Sequence, residues 1–550
     1  MNPTRAVTEP ARSESAAGDG AQWRVLVSDG LVPAGLGPLA QDTRFDLVQG
    51  KGLDGDALAE VLREVDAVIV RSSTRITREV LESGQRLRVI GRAGVGVDNI
   101  DVDAATEHGI AVLNAPSGNT ISAAEHAFAL LLALIRHIPA ADRSMRAGEW
   151  DRKRFAGIEL SGKTLGLVGA GRIGSEVARR ARAFGMRVVV HDPFLSEEHA
   201  RALDVERATL DHVLESADVL SMHVPMTEST AGMIGADQLA RLRKGAVLIN
   251  AARGGIVDER ALQEALVSGH LRGAALDVYE NEPLQPDHPL RSLPNVVLTP
   301  HLGAATEEAQ HHVALEIGQA VRDAIVDGDM SRAVNAPAIA GEEMRRMKPL
   351  LGLAVQLGRL AASLLDGVIQ RVDVRYAGET GEVLRPLASA ALVGVLGDVV
   401  GRNAVNLVNA ILLAQMRGIE VGRTRLAKLK DYAEYVELRA AGERGEATVA
   451  GALLDATHPR VVRIGDFHVD VRPRGPLLVL RNRDVPGVIG RVGTILGIAG
   501  VNIAEYHQAR LGAGGEALAA IRVDGTPSLQ VIEQLETIPE VLWVKRAALD

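Results

Sequence analysis

The segment TLGLVGAGRIGSEVARRARAFGMRVVVHD runs from an apolar stretch into a glycine turn, then into a helical pattern, then into a second apolar stretch that ends in an acid. Gly169, Gly171 and Gly174 stand in G-x-G-x-x-G spacing. In such a strand-turn-helix unit the first glycine allows the tight turn, the second lets a diphosphate approach the backbone, and the third lets helix and strand pack closely. The helix start adds unpaired N–H groups and the positive end of its dipole. Asp192, at the end of the second strand, is placed to accept both ribose hydroxyls of a dinucleotide and to repel a 2′-phosphate; Pro193 and Phe194 after it bring no cation. The expected cofactor is therefore NAD rather than NADP.

Around this unit the chain alternates strands and helices. TLGLVG, RVVVHD, VLSMHV, AVLIN, GAALDV and NVVLTP predict six strands of a dinucleotide-binding domain. Before it, WRVLV, AVIV and RVI alternate with helical stretches at residues 56–64 and 78–82, as in a parallel α/β sheet. SAAEHAFALLLALIRHI, residues 122–138, reads as one long apolar helix buried against other elements or a second subunit, and a hinge between domains. The helical stretch 306–326 ends at DGDM and is expected to pack back on the first domain, making that domain discontinuous. Helices are also expected near 344–365 and 405–417, and the last stretch reads strand, helix, strand, strand, helix, strand, a ferredoxin-like order.

Three segments end strands of the cofactor sheet: NAARGGIVDE with Arg253, DVYENEP with Glu282 and TPHLGA with His301. Ligands of such sheets sit beyond the carboxyl ends of the strands, so these residues can converge. Removing hydride from a secondary alcohol requires a base for the hydroxyl proton, and histidine titrates near working pH. His301 suits that role, Glu282 would orient and charge its ring, and the planar fork of Arg253 matches a carboxylate.

The ordered set GAGRIG, NAARGGIVDE, NEP and TPHLGA resembles the D-2-hydroxy-acid dehydrogenase family. VRSST at 70–74, GRAGVGVDNID at 91–101 and SGNT at 117–120 are similar to the substrate-domain motifs of its long-form, phosphoglycerate-oxidising branch. The resemblance runs from Trp23 to the C-terminus. It implies an α/β enzyme with a Rossmann-type cofactor domain at 122–301 and a discontinuous flavodoxin-like substrate domain at 23–121 and 302–335. An α+β intervening domain at 336–473 and a C-terminal ferredoxin-like ACT domain at 474–550 would follow, with 1–22 a disordered tail.

The same resemblance implies that His301, Glu282 and Arg253 are catalytic and that NAD is held by Gly169, Gly171, Arg172, Ile173, Gly174, Asp192, Val224, Ala251 and Asp277. Substrate contacts fall on Arg71, Gly94, Val95, Gly96 and Asn119. Val95 stands where some members have Thr, so a side-chain hydrogen bond is lost there. Independently of the family, backbone N–H groups in the glycine-rich loop make a carboxylate nest and Arg71 supplies charge for a phosphate. The branch oxidises 3-phosphoglycerate with NAD, the opening step of L-serine synthesis. RNRDVPG and GVN are similar to the ACT segments that bind an amino-acid effector, which implies L-serine at Asn482, Asp484 and Asn502. The intervening region's clearest motif, VNLVNA at 405–410, carries no ligand assignment.

A net charge of -9 argues against nucleic acid as partner. With no cysteine, thiol catalysis and thiolate metal sites are excluded, and no metal site is expected. The longest apolar run, Ala127 to Ile135, is far short of the roughly 20 residues a membrane helix needs. A cytoplasmic homotetramer is the expectation, with another D-2-hydroxy-acid dehydrogenase or an NAD-sensing regulatory protein as the competing readings.

Overall fold

The computed structural model describes residues 22–550 apart from 32, 51, 380–382, 430, 456 and 513. The expected tail therefore lies outside the described residues except for Gln22. Trp23–Val27, Phe45–Gln49, Ala67–Val70, Val89–Arg92 and Ala111–Asn114 form a parallel sheet in the order 2-1-3-4-5, the flavodoxin-like arrangement. The helix Glu307–Asp327 is capped by the Thr306 side chain and stopped at Gly328, whose φ of 70° suits a glycine. It returns to this sheet and buries Val313, Ile317 and Val321 against Val25, Ile69 and Leu113. Gly318 permits the contact: a Cβ there would lie 2.2 Å from the Leu36 carbonyl oxygen.

The cofactor sheet has seven parallel strands. Six match the sequence reading; the seventh, Glu206–Arg207, pairs at the edge with Val189 and Val190 and is too short to show a period. Its interior strand Thr164–Val168 is buried at every residue, so it reads as a continuous apolar run.

The apolar helix is shorter than expected. It spans Thr120–Ile135, and a second helix, Ile138–Arg146, leaves at 60°. His137 at φ 53° and Pro139 at the new helix start explain the break, since proline is preset for a first turn and costly in a helix interior. The first helix buries Ala124, Phe128 and Leu131 under the cofactor sheet, with the Phe128 ring 4.9 Å from that of Phe184. Among the described residues no single helix is long and apolar enough to cross a membrane.

Beyond residue 340 a six-stranded mixed sheet packs on the helices Gly341–Leu364 and Leu384–Val400. The second of these was not foreseen: it is apolar on every side, so it shows no stripe. The helix expected over 405–417 covers only Ala410–Met416, because Asn406 and Asn409 turn the preceding residues into a side-chain-bonded loop. The last unit is a four-stranded antiparallel sheet in ferredoxin-like order. One of its faces buries Leu478 and Leu480 under its own helices, and the other presents Leu477 and Val479 to the core of the six-stranded unit.

Candidate active site

The glycine turn follows Val168, the last residue of an interior strand of the cofactor sheet. A Cβ on Gly169 would lie 2.6 Å from the His223 carbonyl oxygen, and one on Gly174 would lie 2.2 Å from that of Gly169. The space over Gly171 is open, with nothing within 4 Å of a Cβ built there, and Arg172 and Ile173 open the helix. Beside the turn lies a cavity of about 410 Å³ lined by Val190, His191, Asp192, Pro193, Arg207, Ala208 and Thr209. Each Asp192 oxygen accepts one backbone N–H, from Ala170 and Phe194, both at 2.8 Å. A carboxylate with about four acceptor sites keeps capacity for two ribose hydroxyls. An open diphosphate turn, an adenosine-sized cavity and an acid at its rim fit NAD. Arg207, on the short edge strand, puts a cation in this cavity that the sequence reading missed.

Val224 and Ala251 sit partly buried at neighbouring strand ends. His223 was not singled out; burial pushes its imidazole down to about 4, so it stands neutral, bonded to Ser221 at 2.9 Å.

His301 and Glu282 are brought together, with Nδ1 and Oε2 at 2.8 Å. Burial raises the Glu282 carboxyl, but the bond and charge of His301 outweigh it and hold the group below its ordinary range. The other Glu282 oxygen accepts the Tyr279 N–H at 3.1 Å. His301 has φ 56°, a left-handed conformation that costs a non-glycine residue about 1–3 kcal/mol. Asp277 holds it there: its backbone oxygen accepts the His301 N–H at 2.9 Å, and its carboxylate accepts N–H bonds from Leu302 and Gly303, both at 2.8 Å. The Thr299 hydroxyl at 2.6 Å and His126 Nε2 at 3.1 Å complete the network. Asp277 is fully buried, so its visible work is to shape the loop that carries His301.

Arg253 reaches from the cofactor sheet to the first one. Its Nε lies 3.2 Å from Asp98, and a Cβ on Gly96 would lie 2.1 Å from its Nη2. The loop it meets is held by Asn114, which donates to the Val95 carbonyl at 2.7 Å, and by the Ala115 N–H, bonded to the Gly94 carbonyl at 2.9 Å. Arg71 is anchored through its backbone N–H to Asp29 at 2.5 Å.

Arg92 was missed altogether. Its side chain lies against Gly94, and burial first, then the charge of Arg253, lower its pKa to about 10. Among the described residues Arg92 Nε, Asn119 Oδ1 and Thr120 Oγ1 are buried without a hydrogen-bond partner. Buried polar groups are ordinarily paired, so these unpaired atoms in the substrate-binding segments suit a bound anion with hydroxyl groups. The signal for Arg92 was available in GRAG, where an arginine ends a buried strand.

The regulatory set is only partly assembled. Asn482 and Asp484 lie together at one end of the C-terminal sheet, Asn482 buried with its Oδ1 unpaired among the described residues and Asp484 3.5 Å from Arg510. Asn502 does not join them. On the shared neighbour strand Asn482 faces Ala517 whereas Ile503 faces Val523, the opposite end, and Asn502 bonds Asp524 at 2.7 Å. The eleven-residue helix Val488–Ile498 separates the two segments. A three-residue pocket within one chain is therefore ruled out.

The fold and the site define a D-isomer-specific 2-hydroxyacid dehydrogenase. A profile of that family's NAD-binding domain matches residues 128–303, the D-3-phosphoglycerate dehydrogenase intervening domain matches 346–465, and the ACT domain matches 477–540. The chain is 42% identical over 524 residues to D-3-phosphoglycerate dehydrogenase of Bacillus subtilis, covering 95% of this chain and 99% of that one. It is 42% identical over 503 residues to the Synechocystis enzyme of the same name, covering 91% and 90%. A solved glyoxylate reductase from Paecilomyes thermophila superposes with a TM-score of 0.53 at 34% identity, over 57% of this chain and 98% of that one. The chain belongs to the D-3-phosphoglycerate dehydrogenase family.

Proposed function

We propose that the chain oxidises 3-phospho-D-glycerate with NAD to 3-phosphohydroxypyruvate, reversibly, as the first step of L-serine biosynthesis. The observation that carries this reading is the His301–Glu282 pair at 2.8 Å on the cofactor sheet, with Arg253 spanning to the loop beside Arg92. NAD, when bound, takes up the hydride from C2. With Nδ1–H directed at Glu282, the Nε2 of His301 accepts the C2 hydroxyl proton, and the charged carboxylate stabilises the imidazolium that results. Arg253 polarises the C2 oxygen and holds the substrate carboxylate; Arg71, Arg92, the Gly94–Gly96 backbone and Asn119 bind the remaining anionic and hydroxyl groups. Gly169, Gly171, Arg172, Ile173, Gly174, Asp192, Val224 and Ala251 form the NAD site, with Asp277 buried behind it as the support of the His301 loop. NADH absorbance with 3-phosphoglycerate and a panel of unphosphorylated 2-hydroxy acids tests the reaction.

The division into a substrate domain at 23–121 and 302–335, a cofactor domain at 122–301, an intervening domain at 336–473 and an ACT domain at 474–550 belongs to the same reading. So do a cytoplasmic tetramer and L-serine as effector. Asn482 and Asp484 of one chain would then meet Asn502 of a second, since one chain alone does not unite them.

A further inference from the structure

The motif VNLVNA lies in the intervening region, yet its two asparagines bond the substrate-binding unit. Asn406 donates through Nδ2 to the Gly109 carbonyl at 2.8 Å, and Asn409 through Nδ2 to that of Glu107 at 3.3 Å. The pair is preset for this. Asn409 Oδ1 accepts the Asn406 N–H at 2.8 Å, and Asn406 Oδ1 accepts the Val408 N–H at 2.9 Å, so both amides are oriented before they meet the other unit. Asn409 is fully buried, and Val408 packs on the core of the first sheet. Gly109, at φ 70°, leaves room for the contact: a Cβ there would lie 2.4 Å from Asn406 Nδ2.

The gripped corner ends a short helix, Val102–Glu107, whose other end carries the substrate loops. Asp101 caps that helix by accepting from the Ala104 N–H at 2.8 Å, and its own N–H bonds the Ile76 carbonyl at 2.8 Å. The Ile76 N–H in turn bonds the Asn99 carbonyl at 2.9 Å. Asn99 Nδ2 then donates to the carbonyls of Arg71 at 2.7 Å and Thr74 at 2.6 Å. A six-residue helix is a rigid rod about 9 Å long. A continuous chain of hydrogen bonds thus joins the intervening unit to the backbone of Arg71 and of the loop that follows Gly94–Gly96.

We propose that Asn406 and Asn409 are positioning residues for the substrate loops: through the corner at Glu107–Gly109 they hold the helix Val102–Glu107, and with it Arg71 and the 94–99 loop, in the substrate-binding arrangement. The proposal rests on the assignment of those loops to the substrate. It gives the intervening unit a share in substrate affinity without any contact to the substrate.

Asn406→Asp tests it in the full-length enzyme. The side chain keeps its shape and its acceptor toward Val408, but loses the donor and sets a carboxylate against the Gly109 carbonyl; the residue is exposed, so the exchange spares the core. The expected result is a KM for 3-phosphoglycerate raised about three- to tenfold, the range of a lost hydrogen bond. The kcat stays within about twofold, the NADH Kd measured by fluorescence is unchanged, and deuterium uptake rises over residues 94–101. Gly109→Ala, which intrudes on the same bond from the other side, gives the same pattern. Unchanged uptake over 94–101 in both variants overturns the proposal, as does an equal loss of NADH affinity, which would mark general destabilisation. Arg71→Ala separates the two ideas: if it leaves the KM unchanged while Asn406→Asp raises uptake over 94–101, the substrate assignment fails and the mechanical link stands. If Arg71→Ala raises the KM and Asn406→Asp does not, the link fails.

Discussion

His301 sits in a left-handed conformation that only a well-determined surrounding sustains, and its ring nitrogen is tied to a carboxylate. A histidine so held presents its other ring nitrogen in a fixed direction. His301→Asn should lower turnover by about 100- to 10,000-fold, the usual contribution of a positioned acid–base group, and leave the NADH Kd nearly unchanged. Stopped-flow turnover beside fluorescence titration checks both, and wild-type turnover in the variant would remove His301 from the mechanism. Asp192 lends itself to a sharper test than sequence alone suggested, because Arg207 shares its cavity. Asp192→Ala removes a ribose acceptor and a repulsive charge while the arginine stays to meet a 2′-phosphate. The NADP-to-NAD ratio of kcat/KM should rise, and Asp192→Ala with Arg207→Ala should lose most of that rise.

At the scale of elements, the loop Thr299–Gly303 owes its shape to one buried carboxylate. Burial raises the pKa of Asp277, but the bonds from His126, Thr299 and the Leu302 N–H prevail and leave it depressed. A carboxylate with a depressed folded pKa contributes stability that is present above the unfolded value and is lost as pH falls through the folded one. Asp277→Asn should therefore cost about 1–3 kcal/mol at neutral pH, the penalty for unsatisfied buried partners. Its Tm deficit against wild type should shrink when both are measured below about pH 3, beneath the unfolded carboxylate range. A deficit that does not change with pH would mean that the carboxylate charge is not what holds the loop.

Elements with a period or a punctuating residue were legible in the sequence: the glycine turn, the helical stretch 306–326 with its end at DGDM, and the strand-end positions of Arg253, Glu282 and His301. What escaped lacked such a signal. Glu206–Arg207 is too short to alternate, Leu384–Val400 is apolar on all sides, and the break at His137 lies inside a run whose composition is uniformly helical. Arg92 was passed over because a single arginine at a strand end is silent until its burial, its unpaired Nε and its neighbour Arg253 are seen together. Nor could spacing along the chain show that Asn502 stands at the far end of the sheet from Asn482, since that depends on strand order.

Among the described residues four sheets are linked in series: a cofactor sheet and a first sheet joined at Arg253 and Asp98, the first sheet gripped by the six-stranded unit, and the C-terminal sheet sharing that unit's core. Such a series lets a ligand on the last unit influence the first, provided that it binds two arrangements with different affinity. L-serine should accordingly lower the initial rate of the full-length enzyme, and Asn502→Ala should abolish that effect while leaving the serine-free rate unchanged. Rates indifferent to serine in the wild type would remove the effector from the account.

Beneath all of this stands the reaction itself, which the rise in NADH absorbance at saturating NAD reports directly. With 3-phosphoglycerate the full-length enzyme should produce NADH at a kcat/KM at least about 100-fold above that for D-glycerate or D-lactate, the factor expected when half-buried cations lose a phosphate partner. Equal or greater efficiency with the unphosphorylated acids would contradict the assignment of Arg71 and Arg92 and with it the substrate proposed here.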